Sequence, residues 1–576
     1  MLSPQITKYV INTVEVHLNA VQGIANNEVI TRSTYDPILQ YVITLLNTIS
    51  SFGHVVIWCG IVLIILALLR GLFTFLMRQT IIVMSRYIEY AQKNDVYAHY
   101  QTLDTTFYKK NSTGDLMNRI SEDVSRVRMF TGPAVMYSIN LIVLIGLSVY
   151  YMYYTSPMLM LYTLAPLPIL AFIIYKVNII INTKSEQQQE QLSTITSMAQ
   201  ESYSGIRVIK SYLQEANVYH AFNKQATTYK DKAIDLARTE AWYFPSITLL
   251  IGVSTLLTIM IGGLYKIAGN PAITIGVIAE FVVYINMLTF PVSSIGWVAS
   301  IIQRASASQK RINEFLLQQP TITTSGTLDV NHTAPTITYN NVSYTYTNTG
   351  IQALKHITFT IQPTQKIAIV GRTGSGKTTL IQLLQQLYQP TSGTILWNTV
   401  SYEQYKLIEL RKKISYVPQE VFLFSDTVRN NIQFGVHSAT ATQVDNAAKA
   451  ACVYIEIMKF DNGMDTVIGE RGVTLSGGQK QRISIARALL KEADLYIFDD
   501  CLSAVDVHTE LAILQALNTA LQHKAAIFVT HRIYNQMQFD NILVLDQGSI
   551  VEQGTHDSLM QLKGLYYAMY MEQQRS

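Results

Sequence analysis

The octapeptide Gly371-Arg372-Thr373-Gly374-Ser375-Gly376-Lys377-Thr378 has the spacing GxxxxGK[ST], and its chemistry is the binding of a polyphosphate. Its glycines let successive backbone N–H groups wrap phosphate oxygens, and the N-terminus of the helix that follows adds the positive end of its dipole. The context fits. An apolar strand at 366–370 leads into the loop, and a helix is predicted over 379–387. Lys377 would meet the β- and γ-phosphates of a nucleoside triphosphate and Thr378 would ligate Mg²⁺, with Thr379 in the same nucleotide-contacting set.

A second phosphate-binding terminus is written in Leu475-Ser476-Gly477-Gly478-Gln479, where a serine and two glycines open a helix predicted over 480–490. Such a pentapeptide could be any glycine turn. It gains meaning from the apolar strand just after that helix, 495–498, which ends in the carboxylates Asp499 and Asp500. Asp499 at a strand end is placed to hold Mg²⁺ through water, as the acid of a phosphoryl-transfer site.

These motifs need a scaffold, and the composition says where it lies. At 576 residues the chain is too long for one domain. Hydrophobic residues make up 49% and charged residues only 14%, which points to a membrane-embedded portion. A net charge of +4 with no unbroken basic stripe gives no reason to expect a nucleic-acid partner. Cys59, Cys452 and Cys501 fall in no metal-ligand spacing and read as reduced structural thiols. The N-terminus lacks the pattern of a cleaved signal peptide.

Apolar runs near the ~20 residues a bilayer requires occur at 55–76, 133–154, 157–177, 244–267 and 273–298. Cations crowd the long polar segments 77–132 and 178–243 and are nearly missing from the short connections, so both long segments face the cytoplasm. They read as helical extensions that turn through short crosswise helices near 95–103 and 203–213. The glutamine-rich stretch 187–191 reads as a solvated helix face. Five spans with an inside C-terminus would leave residues 1–54 outside. Either a first span begins upstream of Met1, with 2–14 as its outer end, or the chain has five spans and an exported tail. The first reading is preferred. After 318–335, rich in Thr, Pro and Gly, strands and helices alternate to the end.

Taken in order, these motifs resemble the ATP-binding cassette (ABC) exporters with fused membrane and nucleotide-binding domains, of the multidrug-exporter and lipid-flippase type. The resemblance spans nearly the whole chain. It implies a helical transmembrane bundle at 1–317, a linker at 318–335 and an α/β P-loop domain at 336–576. It implies that Tyr346, in Val342-Ser343-Tyr344-Thr345-Tyr346, stacks on adenine, although a tyrosine in a strand is by default packing. Gln419 in Tyr416-Val417-Pro418-Gln419 matches the residue that touches Mg²⁺, and Glu470-Arg471-Gly472 matches a coupling segment. Asp506 in Ser503-Ala504-Val505-Asp506 matches the loop after the carboxylates, and His531 matches the γ-phosphate sensor. ATP and Mg²⁺ are then the ligands. In this family Ser476, Gly477, Gly478 and Gln479 of one subunit close over ATP held by the other, so hydrolysis belongs to a dimer.

Asp500 departs from the pattern: active members carry glutamate there to polarise the attacking water. Aspartate is one methylene shorter and sets the carboxylate back by roughly 1–1.5 Å, a displacement that can cost ~10²-fold in rate. Either this is the weak half of a heterodimer, whose intact signature Leu475–Gln479 completes a partner's active site, or a homodimer works with aspartate. The heterodimer is slightly favoured.

Within the spans, Arg70 snorkels toward headgroups, while Glu280 could meet a cationic substrate, form an ion pair or face water. Pro291 should bend its helix, and Tyr150, Tyr151, Tyr153 and Tyr154 suit an interfacial belt. The expected function is ATP-driven export of a small molecule, drug or lipid across the cytoplasmic membrane, in partnership with a second half-transporter and the lipid bilayer. An ATP-gated channel and a fused siderophore importer are the alternatives.

Overall fold

The computed structural model describes residues 2–22, 35–46, 52–270, 272–322, 326–330, 334–469, 475–502, 507–533 and 537–575. They form two compact units: residues 1–101 with 114–318, and residues 102–113 with 319–576.

The helices of the first half are α1 (Leu2–Val21), α2 (Pro37–Leu46), α3 (Phe52–Thr102), α4 (Thr105–Lys110), α5 (Thr113–Asn118), α6 (Val124–Met129), α7 (Val135–Thr155), α8 (Pro157–Leu164), α9 (Pro166–Ser204), α10 (Ile206–Ser211), α11 (Glu215–Ala241), α12 (Tyr243–Ile267) and α13 (Ile275–Leu316). Among the described residues, five helical stretches are long and apolar enough to cross a bilayer: Phe52–Thr102, Thr113–Thr155, Pro157–Ser204, Glu215–Ile267 and Ile275–Leu316. The 51 residues of α3 span about 77 Å at 1.5 Å each, while the hydrocarbon core takes ~30 Å. More than half of that helix therefore extends beyond a membrane.

One expectation is corrected. Residues 95–102 are no crosswise helix but the end of α3; the short helix is α4. The break comes from Asp104, whose extended backbone and side chain, accepting from Thr106 N and Phe107 N, start a new helix. The other short helix, α10, falls inside 203–213.

Polar seams hold the extensions together. Gln191 Nε2 donates to Gln225 Oε1 at 2.8 Å, Gln188 Nε2 to the Tyr229 hydroxyl at 3.1 Å, and Lys184 Nζ to Thr239 Oγ1 at 2.9 Å. The glutamine-rich stretch is thus partly an α9–α11 contact rather than a wholly solvated face. Buried Asp123 accepts from Ser308 at 2.8 Å and pairs with Arg311, linking the π-helical turn Arg119–Asp123 just before α6 to α13.

Of the three readings open for Glu280, the structure shows the ion pair. Its buried carboxylate lies 3.3 Å from Lys8 Nζ of α1 and accepts from the Tyr284 hydroxyl at 3.3 Å. α1 is also tied to α13 by Asn12, which accepts from Gly276 N at 3.0 Å. A carboxylate buried away from water needs such a cation. Arg70 is exposed on α3, and α13 runs unbroken through Pro291. Tyr150, Tyr153 and Tyr154 are exposed, whereas Tyr151 donates to Asp36 Oδ2 at 2.6 Å.

In the second unit the strands are β1 (Ile337–Thr345), β2 (Gln352–Ile361), β3 (Lys366–Gly371), β4 (Ser392–Trp397), β5 (Val400–Ser401), β6 (Ile414–Val417), β7 (Leu495–Asp499), β8 (Ala525–Thr530), β9 (Asn541–Asp546) and β10 (Ser549–Gly554). Helices α14 (Lys377–Leu384), α15 (Leu407–Lys412), α16 (Val428–Gln433), α17 (Ala441–Ala450), α18 (Tyr454–Ile457), α19 (Gly477–Leu490), α20 (Val507–Ala520), α21 (His556–Leu562) and α22 (Leu565–Arg575) complete it. One sheet is antiparallel in the order β2-β1-β4-β5; the other runs β10-β9-β3-β8-β7-β6, parallel except for β10. The strands β3, β7 and β8 are buried on both faces, as continuous apolar runs of a parallel sheet require.

Candidate nucleotide site

The site is set by strand register. β8 lies between β3 and β7, with Val370 opposite Thr530 and Asp499 opposite Val529. All three strands therefore end at one edge of the sheet. The segments leaving them converge there, in the crevice beyond the carboxyl ends where open α/β sheets bind ligands.

After β3 comes the glycine loop. Gly374 and Gly376 sit at φ of +83° and +100°, conformations that side-chain-bearing residues rarely adopt. A Cβ on Gly376 would also stand 2.5 Å from the Ala353 carbonyl oxygen. Gly376 caps α14, so the first N–H groups of that helix face the loop. Lys377 Nζ donates to the carbonyls of Gly371 at 2.7 Å and Arg372 at 2.9 Å. Burial lowers its pKa, against the opposing charges of Asp500 and Asp499. Ser375 is buried, and its Oγ has no hydrogen-bond partner among the described residues. A buried hydroxyl in such a loop, left without a partner, suits a phosphate oxygen.

β7 delivers the carboxylates. Asp499 is 1% exposed; it accepts from Thr378 Oγ1 at 3.3 Å and from the Tyr416 hydroxyl at 3.4 Å. Burial pushes its carboxyl up to about 6, the two hydroxyl donors notwithstanding. Asp500 turns at φ +46°, a left-handed conformation that aspartate tolerates better than most residues. Its N–H donates to the Val529 carbonyl at 2.8 Å.

β8 delivers the histidine. His531 Nδ1 lies 3.0 and 3.1 Å from the two carboxylate oxygens of Asp500. A carboxylate oxygen accepts, so Nδ1 is the donor in this contact. Gln419 Nε2 reaches Asp500 Oδ2 at 3.5 Å, the outer limit of a hydrogen bond. Thus Lys377, Thr378, Asp499, Asp500, His531 and Gln419 are brought together, and sequence reasoning missed Tyr416 among them. Sequence carried no signal for it: Tyr416 is the third residue of β6, and only the pairing of β6 in register with β7 brings it to Asp499.

Tyr346 is half-buried, its hydroxyl 3.0 Å from Thr379 Oγ1 and its ring edge-to-face with Tyr344 and Tyr388. The structure therefore ties it to the first turn of α14. Ser476, Gly477, Gly478 and Gln479 form a separate helix start. Ser476 Oγ accepts from Gln479 N and Gln479 Oε1 accepts from Ser476 N, a reciprocal cap. Glu456 braces this turn, accepting from Gln479 Nε2 at 3.1 Å and from both Arg482 terminal nitrogens at 2.6 and 2.9 Å. Those Arg482 bonds hold its carboxyl below the usual range. Leu475 and α19 pack in a different hydrophobic cluster from α14. Asp506 and Glu470-Arg471-Gly472 lie outside the described residues.

Residues 2–292 match the family described as ABC transporter transmembrane region, and residues 354–503 match that described as ABC transporter. The chain is similar to the "Multidrug resistance-like ATP-binding protein MdlA" of Escherichia coli (strain K12), 34% identical over 91% of this chain and 88% of that one. An "ATP-dependent lipid A-core flippase" of Pseudomonas fluorescens (strain Pf0-1) is 34% identical over 88% of this chain and 84% of its own. Among solved structures, that of "a bacterial Atm1-family ABC exporter with ATP bound" superposes with a TM-score of 0.74 at 23% identity. It covers 99% of this chain and 96% of that one, and it establishes likeness of fold.

Proposed function

Since the chain belongs to the ABC transporters, with its transmembrane and ATP-hydrolysing regions fused, we propose that it exports a small molecule, drug or lipid across the cytoplasmic membrane as one half of a dimer. The observation that carries this reading is the convergence of Lys377, the Thr378–Asp499 contact and the Asp500–His531 contact at one sheet edge, in a chain with five apolar spans among its described residues. Cation placement puts the nucleotide-binding half, 336–576, in the cytoplasm and makes 318–335 its tether to the membrane half.

The residues fit Mg²⁺. Thr378 Oγ1 and the buried Asp499 carboxylate are hard oxygen donors 3.3 Å apart, and burial leaves that carboxylate better matched to a cation than to water. Thr378, Asp499 and Gln419 would hold the ion, which when bound neutralises charge on the phosphate oxygens. Lys377 exchanges the carbonyls of Gly371 and Arg372 for β- and γ-phosphate oxygens of ATP. The loop N–H groups of 371–376 and Ser375 Oγ bind the remaining oxygens, and Tyr346 stacks on adenine. Asp500, Gln419 and His531 orient a water whose oxygen bonds to the γ-phosphorus as the bond to ADP breaks.

Hydrolysis at this site is slow. Both oxygens of Asp500 are engaged by His531 Nδ1, and the side chain is one methylene shorter than glutamate. The reciprocal cap at Ser476 and Gln479 keeps the signature turn ready to complete the other site. The partner is accordingly a second half-transporter that carries glutamate, with Asp506 contributing at the same interface. ATP binding draws the two nucleotide domains together, α4 and α10 pass that motion to the spans, and hydrolysis resets them.

The test is substrate uptake into inverted vesicles holding the chain alone or with a candidate partner. ATP-dependent accumulation, lost in Lys377→Ala, supports export. ATP-gated ionic current without accumulation replaces it with a channel.

A further inference from the structure

The short helix α4 lies in the chain between two membrane-crossing stretches, yet residues 102–113 group with the nucleotide-binding unit. Its attachment is specific at both ends. Asp104 caps α4 through Oδ1 and accepts from Thr321 N through Oδ2 at 2.6 Å. Thr105 Oγ1 donates to the Leu387 carbonyl at 2.7 Å, three residues past the end of α14.

At the other end of α4, Lys109 Nζ stands over two rings at once. It is 5.1 Å from the centroid of Tyr346 and 5.0 Å from that of Tyr388. Those rings are edge-to-face, 5.8 Å apart and 81° to each other, so the ammonium sits in the angle they form. An ammonium within ~6 Å of a ring centroid is drawn to the negative ring face. The same Tyr346 is bonded through its hydroxyl to Thr379, next to Thr378. One side chain therefore links α4, the first turn of the phosphate-binding helix and the surface on which a base would stack.

We propose that Lys109 is a positioning residue for the nucleotide base: by holding one face of Tyr346 it presents the other face to adenine, so that base stacking and α4 docking reinforce each other. The proposal rests on the reading of Tyr346 as the adenine platform. Two physical effects have the same sign. A ring fixed by Lys109 and Thr379 loses less freedom when a base stacks on it. A cation on one face also withdraws electron density and favours an electron-rich purine on the other. Linkage is reciprocal, so a bound base tightens the hold of α4 by the same factor. Triphosphate alone, which never touches the ring, lacks this coupling.

The experiment compares equilibrium binding of Mg-ATP and of Mg-tripolyphosphate to the full-length protein, at a temperature where turnover is negligible. Lys109→Gln weakens ATP binding by about two- to fivefold, the worth of an exposed cation–ring contact, and leaves tripolyphosphate binding unchanged. Lys109→Arg, which keeps a cation able to lie on a ring, restores ATP binding. In a Tyr346→Ala background Lys109→Gln has no further effect. If Tyr346→Ala itself leaves ATP binding unaltered, the platform reading fails. If Tyr346→Ala weakens ATP while Lys109→Gln does nothing, tightens ATP, or weakens both ligands equally, the platform stands and this inference is overturned.

Discussion

Replacing Asp500 with glutamate tests the chemistry most directly. The backbone at this position is fixed by its N–H bond to Val529 and by φ of +46°, so extra reach can come only from the side chain. One added methylene moves the carboxylate outward by roughly 1–1.5 Å. A misplacement of ~1 Å at a reacting centre is worth ~10²-fold in rate, or about 2.7 kcal/mol at 1.36 kcal/mol per decade. Asp500→Glu should therefore raise kcat by ~10–10²-fold. KM should stay nearly constant, because Lys377, Thr378 and the glycine loop are untouched. An opposing, smaller effect is expected in the fold: glutamate is less at ease than aspartate in the left-handed region, at a cost on the order of 1 kcal/mol. The assay is phosphate release by purified full-length protein in lipid nanodiscs over a range of Mg-ATP, with thermal unfolding measured alongside. If kcat is unchanged or falls in Asp500→Glu while Asp500→Asn abolishes turnover, aspartate is the working carboxylate and the weak-site reasoning is wrong.

Three further outcomes are expected. Because burial raises the Asp499 carboxyl to about 6, its ionisation opposes folding: the stability present below the unfolded value is lost as pH rises through about 6. Asp499→Asn should then stabilise metal-free protein at pH 7.5 by up to about 3 kcal/mol, read as a higher Tm, with the gain shrinking toward pH 5; a gain independent of pH would contradict this origin. Breaking the buried pair with Glu280→Gln should cost about 3–5 kcal/mol because Lys8 is left uncompensated, and Lys8→Met with Glu280→Gln should recover most of it. Selective loss of cationic dye export in a fully stable Glu280→Gln protein would instead make Glu280 a substrate contact. Gly376→Ala should abolish nucleotide binding in equilibrium titrations, since its Cβ would stand 2.5 Å from the Ala353 carbonyl at a φ of +100°; retained affinity would show that the loop can be reshaped.

The chemistry of this protein was legible in its residues because each motif is local. A glycine loop, a lysine and a helix start at fixed offsets can hardly serve anything but phosphate. Apolar runs of bilayer length declare themselves in the same way, and β3, β7 and α19 fall where the patterns of 366–370, 495–498 and 480–490 placed them. What only the tertiary structure decided were relations between distant segments. Register across β3, β8 and β7 sets His531 on Asp500 and Thr378 on Asp499, and periodicity along one strand carries no information about its neighbour. The partner of Glu280 lies 272 positions away on α1, and the rings under Lys109 lie beyond four membrane crossings in the chain. The capping role of Asp104, a local signal, was outweighed in sequence by the polar run that α3 carries to Thr102. Short-range propensity fixes what an element can be; burial of charge and the pairing of strands decide which elements meet.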